Sequence, residues 1–271
     1  MKKNKIEIYK LTSTAFLMAL AILFSRIPFL STYINIGGVN LVKIGFQEIP
    51  LMITCLFNGP MYSMIASLGA DLLAATLFPT GGAYFPGFTL DAIFLGLIPA
   101  IVIKYSKNNK KITSIIFLSI SIFTFIINYI LLVNIDNVKI GGLNFENNLW
   151  WKIFIPVIIL LISTIYYVLV LVINNKNTFF KNYDIFLIYY VRDILIAPIL
   201  VPIWMDILYN MPYSISYISQ LCSKLITLPI LVMITIFITI PLEKINANLL
   251  KETYCEKKYL YTKVVNGKKI S

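Results

Sequence analysis

The chain has 271 residues, 59% of them hydrophobic and 13% charged, with a formal net charge of +11 and a mean hydropathy of +0.83; a water-soluble domain does not use this balance, so the chain reads as a membrane protein. Histidine is absent and the three cysteines, Cys55, Cys222 and Cys255, stand singly, which excludes Cys/His zinc spacing, a Ser/His hydrolytic pair and a disulfide framework. The lysines lie between apolar runs and in residues 243–271 rather than along one helix face, so the positive charge speaks for membrane orientation and against nucleic acid.

A bilayer core takes about 20 apolar residues as helix. Windows of that kind fall at 11–30, 41–58, 61–78, 86–104, 112–134, 151–173, 184–208 and 218–241. Eight spans follow, and they must be helical, because backbone polar groups have no water to bond inside lipid and the runs lack the alternation of a transmembrane barrel. The fold class is therefore an all-α polytopic membrane protein. Lysine placement orients it, since short cytoplasmic loops carry the Lys/Arg excess. Lys2, Lys3, Lys5 and Lys10 precede the first span, Lys104, Lys107, Lys110 and Lys111 follow the fourth, Lys176 and Lys181 follow the sixth, and seven more lysines follow the eighth. The alternate loops, 31–40, 79–85, 135–150 and 209–217, hold Lys139 alone. Both termini are thus expected in the cytoplasm, with the chain multi-pass in the cell membrane.

Along the chain, a few residues carry more than hydrophobicity. Ala15 and Ala19 are four apart on one face of the first span, a small-xxx-small step that lets helices approach closely in lipid. Arg26 lies in the outer turn of that span; it either snorkels or faces a cavity. Asp71 falls near the middle of the third span, where a carboxylate needs a basic partner or ligand N–H donors. Residues 78–90, FPTGGAYFPGFTL, form a stiff, uncharged loop on the outer side. Its rings Tyr84, Phe85 and Phe88 suit either an interfacial belt or a contact surface. Asp91 and Asp206 read as solvated helix ends, and Arg192 with Asp193 as local ion-pair material. Lys224, about one and a half turns into the last span, takes either an acid group or a backbone carbonyl. No GxxxxGK[ST] pattern occurs, so the chain is not its own P-loop ATPase.

Two stretches, STAFLMALAILFSRIPF followed by IGFQEIPLMITCLFNGPMYSMIASLGADLLAATLFPTGGAYFPGFTLDAIFLGLI, and later WMDILYNMPYSISYISQLCSKLITLPI, together resemble the substrate-binding S component of energy-coupling factor (ECF) vitamin transporters. The segment LFPTGGAYFPGFTL is similar to the gate loop of the folate-specific S components. This resemblance implies one transmembrane domain over 1–271 with a six-helix core at about 11–105 and 184–242, an inserted hairpin at 112–173 and a basic cytoplasmic tail at 243–271. It implies capture of folate or a close derivative at the outer face by Arg26, Asp71, Gly81, Gly82, Tyr84, Phe85, Pro86, Gly87, Phe88, Thr89, Trp204 and Lys224. Arg26 and Lys224 would meet the carboxylates of the ligand. Ala15 and Ala19 would dock a separate membrane coupling subunit, two further chains would hydrolyse ATP, and no cofactor is called for. The arginine usual near the last helix is replaced by Gln220 or Leu221, which leaves riboflavin or another vitamin as the alternative ligand. A different class, an intramembrane enzyme using Asp71, Asp91 and Asp206, requires those carboxylates to converge.

Overall fold

A computed structural model describes residues 2–27, 31–36, 39–77, 84–106, 109–133, 138–140, 143–145, 149–172 and 181–267. The described residues form an all-α membrane bundle of helices α1 (Lys2–Arg26), α2 (Glu48–Asn58), α3 (Pro60–Leu77), α4 (Pro86–Ser106), α5 (Lys110–Val133), α6 (Leu149–Val172), α7 (Asn182–Tyr209) and α8 (Tyr213–Gly267). Seven of these are long and apolar enough to cross a membrane, α2 being the short one. Two antiparallel hairpins interrupt them, β1 (Ser31–Ile36) with β2 (Val39–Gly45), and β3 (Val138–Ile140) with β4 (Leu143–Phe145).

The expected span at 41–58 is thereby corrected. Its first residues, rich in valine and isoleucine, pair as β2, and only Glu48–Asn58 is helical. Eleven residues at about 1.5 Å each rise roughly half the thickness of a bilayer core. The first span also stops short of its window, at Arg26, because proline at 28 disfavours helical backbone in the residue before it. Similarly, the stretch read as a loop to residue 90 turns helical at Pro86, where a fixed φ and a missing N–H suit the first helical position. Residues 243–267, expected as a tail, continue α8 as helix.

Hydrophobicity gives helices no reason to associate in lipid, so close packing and polar contacts must do it. Between α3 and α4 the packing is through small residues: Ala66 and Ala100 are fully buried, and the Ser63 hydroxyl donates to the Gly96 carbonyl at 2.9 Å. The turn from α2 to α3 rests on Gly59, whose φ of +91° is a conformation side chains avoid. Beside it Asn58 Nδ2 donates to Ser13 Oγ (2.9 Å) and Thr14 Oγ1 (2.8 Å), fastening α2 to α1.

The middle of the bundle is α7, apolar nearly all round and buried from Asn182 to Ile194. Val191–Ile196 widens into a π turn. Pro198 has no N–H with which to close an α-helical turn onto the Ile194 carbonyl, and the wider turn accommodates that loss. Helices α5 and α6 dock on this centre by rings and hydroxyls. Phe117 stacks on Tyr167 (centroids 4.2 Å apart) and meets Tyr190 edge-on, Thr124 shares a hydrogen bond with Tyr190, and Asn128 accepts one from Tyr217 of α8.

Candidate functional site

Helices α1, α2, α3, α4, α7 and α8, with the residues leading into α2, enclose a cavity of about 600 Å³, ample for a ligand of vitamin size. Ser67, Ala70, Asp71 and Ala74 of α3 face Phe88, Asp91, Ala92 and Leu95 of α4 across it. Small residues on α3 make the room, and Phe88 supplies a ring. From α8 comes a polar stripe, Ser216, Ser219, Gln220, Ser223 and Lys224, whose spacing of three and four puts all five on one helical face. No residue lining the cavity belongs to α5 or α6.

At one wall of the cavity four charges meet in a nearly dry cluster. Glu48 opens α2, Arg192 and Asp193 come from the π turn of α7, and Lys224 from α8. Arg192 pairs with Glu48 and, at 3.4 Å, with Asp193; Lys224 pairs with Glu48 at 2.9 Å and Asp193 at 3.2 Å. All four side chains are nearly buried. Two acids answer two bases, so the cluster is formally neutral, which is what makes its burial tolerable. Lys224 lies in the cavity wall, and its ammonium is engaged by two carboxylates. Arg192 and Asp193 are ion-pair partners, as read from the sequence, yet Arg192 also lines the cavity.

A second polar chain runs along the wall formed by α3 and α4. Thr89 Oγ1 donates to Asp71 Oδ2 at 2.8 Å; its one proton so used, it accepts from the Tyr84 hydroxyl at 2.8 Å. Asp71 is thus oriented by a hydroxyl relay, and no basic group among the described residues forms an ion pair with it. Thr89→Val, which keeps shape and removes both bonds, is expected to destabilise the protein by about 1–3 kcal/mol, read as a lower melting temperature in detergent.

The remaining expected residues stand around the cavity in different ways. Gly87 is buried against Trp204 and Phe85: a Cβ there would lie 2.7 and 2.8 Å from Trp204 ring atoms. Phe85 meets Phe88 edge-on and tilts against Trp204, both at 5.9 Å. Trp204, Phe85 and Gly87 therefore support the wall behind Phe88, and Pro86 is exposed. Arg26 Nη2 donates to the Ala74 carbonyl at 2.6 Å, capping the last turn of α3, where carbonyls lack helical partners; its neighbours Ser25 and Ala74 line the cavity. Gly81 and Gly82 lie outside the described residues. Ala15 and Ala19 are exposed on one face of α1.

Asp91 was read as a solvated helix end, but it is only 4% exposed and lines the cavity. Asp206 is exposed and does not, so the three carboxylates that an intramembrane enzyme would need do not converge. Glu48, Arg192, Asp91 and the serine stripe of α8 were missed as cavity residues. The stripe had a usable signal, since polar residues recur at helical spacing inside an apolar span.

Comparison with known proteins finds no matching family model. The chain is similar to the Folate transporter FolT of Clostridium novyi (strain NT), 36% identical over 128 residues, which is 47% of this chain and 66% of that protein. It is also similar to the Folate transporter FolT of Leuconostoc mesenteroides, 28% identical over 106 residues, 39% of this chain and 51% of that protein. The matches thus span just under two thirds and about half of these curated relatives.

Proposed function

We propose that this chain, a relative of the folate-specific S components of ECF transporters, captures folate or a close derivative at the outer face of the cell membrane and delivers it inward. The observation that carries this reading is the make-up of the cavity. Both stretches that bear the resemblance, residues 13–98 and 204–230, converge on it, while the two additional helices contribute nothing to its wall.

Folate joins a flat pterin, a benzoate ring and a glutamate bearing two carboxylates. The cavity offers a ring at Phe88, hydroxyl and amide donors along α8, and acceptors at Asp71 and Asp91. Of the basic groups, Lys224 is held by Glu48 and Asp193, whereas Arg26 stands beside the cavity residues Ser25 and Ala74. A carboxylate is costly to bury unpaired, and the forked guanidinium of Arg26 is suited to it. Arg26→Ala is expected to weaken folate binding by about tenfold or more, the loss typical of a charge-assisted hydrogen bond. Unchanged affinity in an equilibrium titration removes Arg26 from this role.

The reading also gives the chain no catalytic step. Energy would come from two ATPase chains through a membrane coupling subunit, and the exposed face of Ala15 and Ala19 on α1 is suited to close contact with such a partner. The test is binding by the purified protein. Trp204 packs directly behind the cavity wall, so folate should quench its fluorescence saturably, riboflavin should not, and Trp204→Phe should abolish the signal without abolishing binding measured by dialysis. Saturable binding of riboflavin in place of folate overturns the assignment.

A further inference from the structure

Asp91 carries more information than its place near the start of α4 suggests. Its side chain is buried in the cavity wall, and Oδ1 has no hydrogen-bond partner among the described residues. A buried carboxylate oxygen left bare is costly, and native structures rarely leave one so. None of the charged groups facing the same cavity pairs with it among the described residues. Asp71 on α3 has the same sign. Arg192 on α7 and Lys224 on α8 are both committed to Glu48 and Asp193. A ligand seated in the cavity can bring the donors that this carboxylate lacks.

A carboxylate is best satisfied by two parallel N–H groups side by side. The 2-amino-4-oxopyrimidine edge of a pterin has such a pair, N3–H and the exocyclic 2-amino group. Phe88 precedes Asp91 by three residues on the same face of α4 and also lines the cavity, so a ring lying on Phe88 directs its edge toward Asp91. We propose that Asp91 is the specificity-determining residue of the site, taking the paired N–H donors of the pterin edge of a ligand seated against Phe88. This inference rests on the folate reading and deepens it. It also states why a flavin is refused: the pyrimidine edge of a flavin places a carbonyl oxygen on each side of its single N–H, and those oxygens would face the carboxylate.

The test is a cycle of four affinities, wild type and Asp91→Asn, each with folate and with 2-desamino-2-methylfolate, measured by titration calorimetry. Removing the amino group from the ligand, or the charge from the protein, should each weaken binding about 10- to 100-fold. The two changes together should cost little more than either alone, because they remove the same contact. p-Aminobenzoylglutamate, which lacks the pterin, should bind both proteins equally. Losses that add in full, or folate affinity retained in Asp91→Asn, overturn the proposal while leaving the folate reading intact. Absence of saturable folate binding to the wild type overturns both. Should Asp91→Asn fail to fold, the two ligands on the wild type still decide: equal affinities overturn the assignment, and a loss of about tenfold or more supports it.

Discussion

Arg192→Met is expected to lower the melting temperature of the detergent-solubilised protein by about 10 °C or more, as followed by size-exclusion chromatography after heating. Arg192 is in contact with both Glu48 and Asp193. Removing it leaves two buried carboxylates to share one ammonium, and breaking a buried pair in this way costs about 3–5 kcal/mol. The size of the loss comes from the orphaned acid more than from the lost attraction. Glu48→Gln combined with Arg192→Met should accordingly recover more than half of it, because Lys224 and Asp193 at 3.2 Å remain a matched pair. A single variant that melts with the wild type would mean the four charges do not hold α2, α7 and α8 together.

Gly96→Val is the second change with a large expected effect. A Cβ at Gly96 would lie 2.8 Å from the Ser63 backbone carbonyl and 2.5 Å from Ser67 Oγ. The hydroxyl can rotate away, but the backbone oxygen cannot, so α3 and α4 must separate. The direct overpacking cost is about 1–3 kcal/mol, to which the strained or broken Ser63–Gly96 bond adds about 1 kcal/mol. The same wedge moves the two walls that carry Asp71 on one side and Phe88 and Asp91 on the other. Ligand affinity should therefore fall along with thermal stability, whereas Arg192→Met should register first in stability. Gly96→Val with unaltered melting and binding would show that α3 and α4 tolerate more separation than their small residues imply.

Most of the fold was legible because hydropathy and proline placement act locally. Windows at 61–78, 86–104, 112–134, 151–173 and 184–208 each became a helix with ends within a few residues, and the window at 218–241 lies inside α8, which runs on to Gly267. The window at 41–58 failed because an apolar, β-branched run serves equally as strand, and length alone does not separate the two. Both hairpins had a signal that went unused: Gly37-Gly38 divides β1 from β2, and Gly141-Gly142 divides β3 from β4, a dipeptide suited to two-residue turns.

The site was legible in depth and not in rotation. Phe88, Asp71 and Lys224 were named from the sequence and line the cavity, while Arg26 caps α3 instead. Asp91 sits five residues into α4, a position equally compatible with water or with the interior until the neighbouring helices are known. Glu48 could not be matched to Arg192 or Lys224, because residues so far apart in the chain meet only through the crossing of α2, α7 and α8. Nor did composition reveal the π turn that brings Arg192 to the cavity wall.

Helices α5 and α6 rest on α4 and α7, joined there by Phe117, Tyr167, Tyr190 and Thr124, whereas α1 packs on α2 and α3 and turns Ala15 and Ala19 outward. The two helices therefore add to the molecule's girth in the bilayer without lining its interior chamber or covering its alanine face.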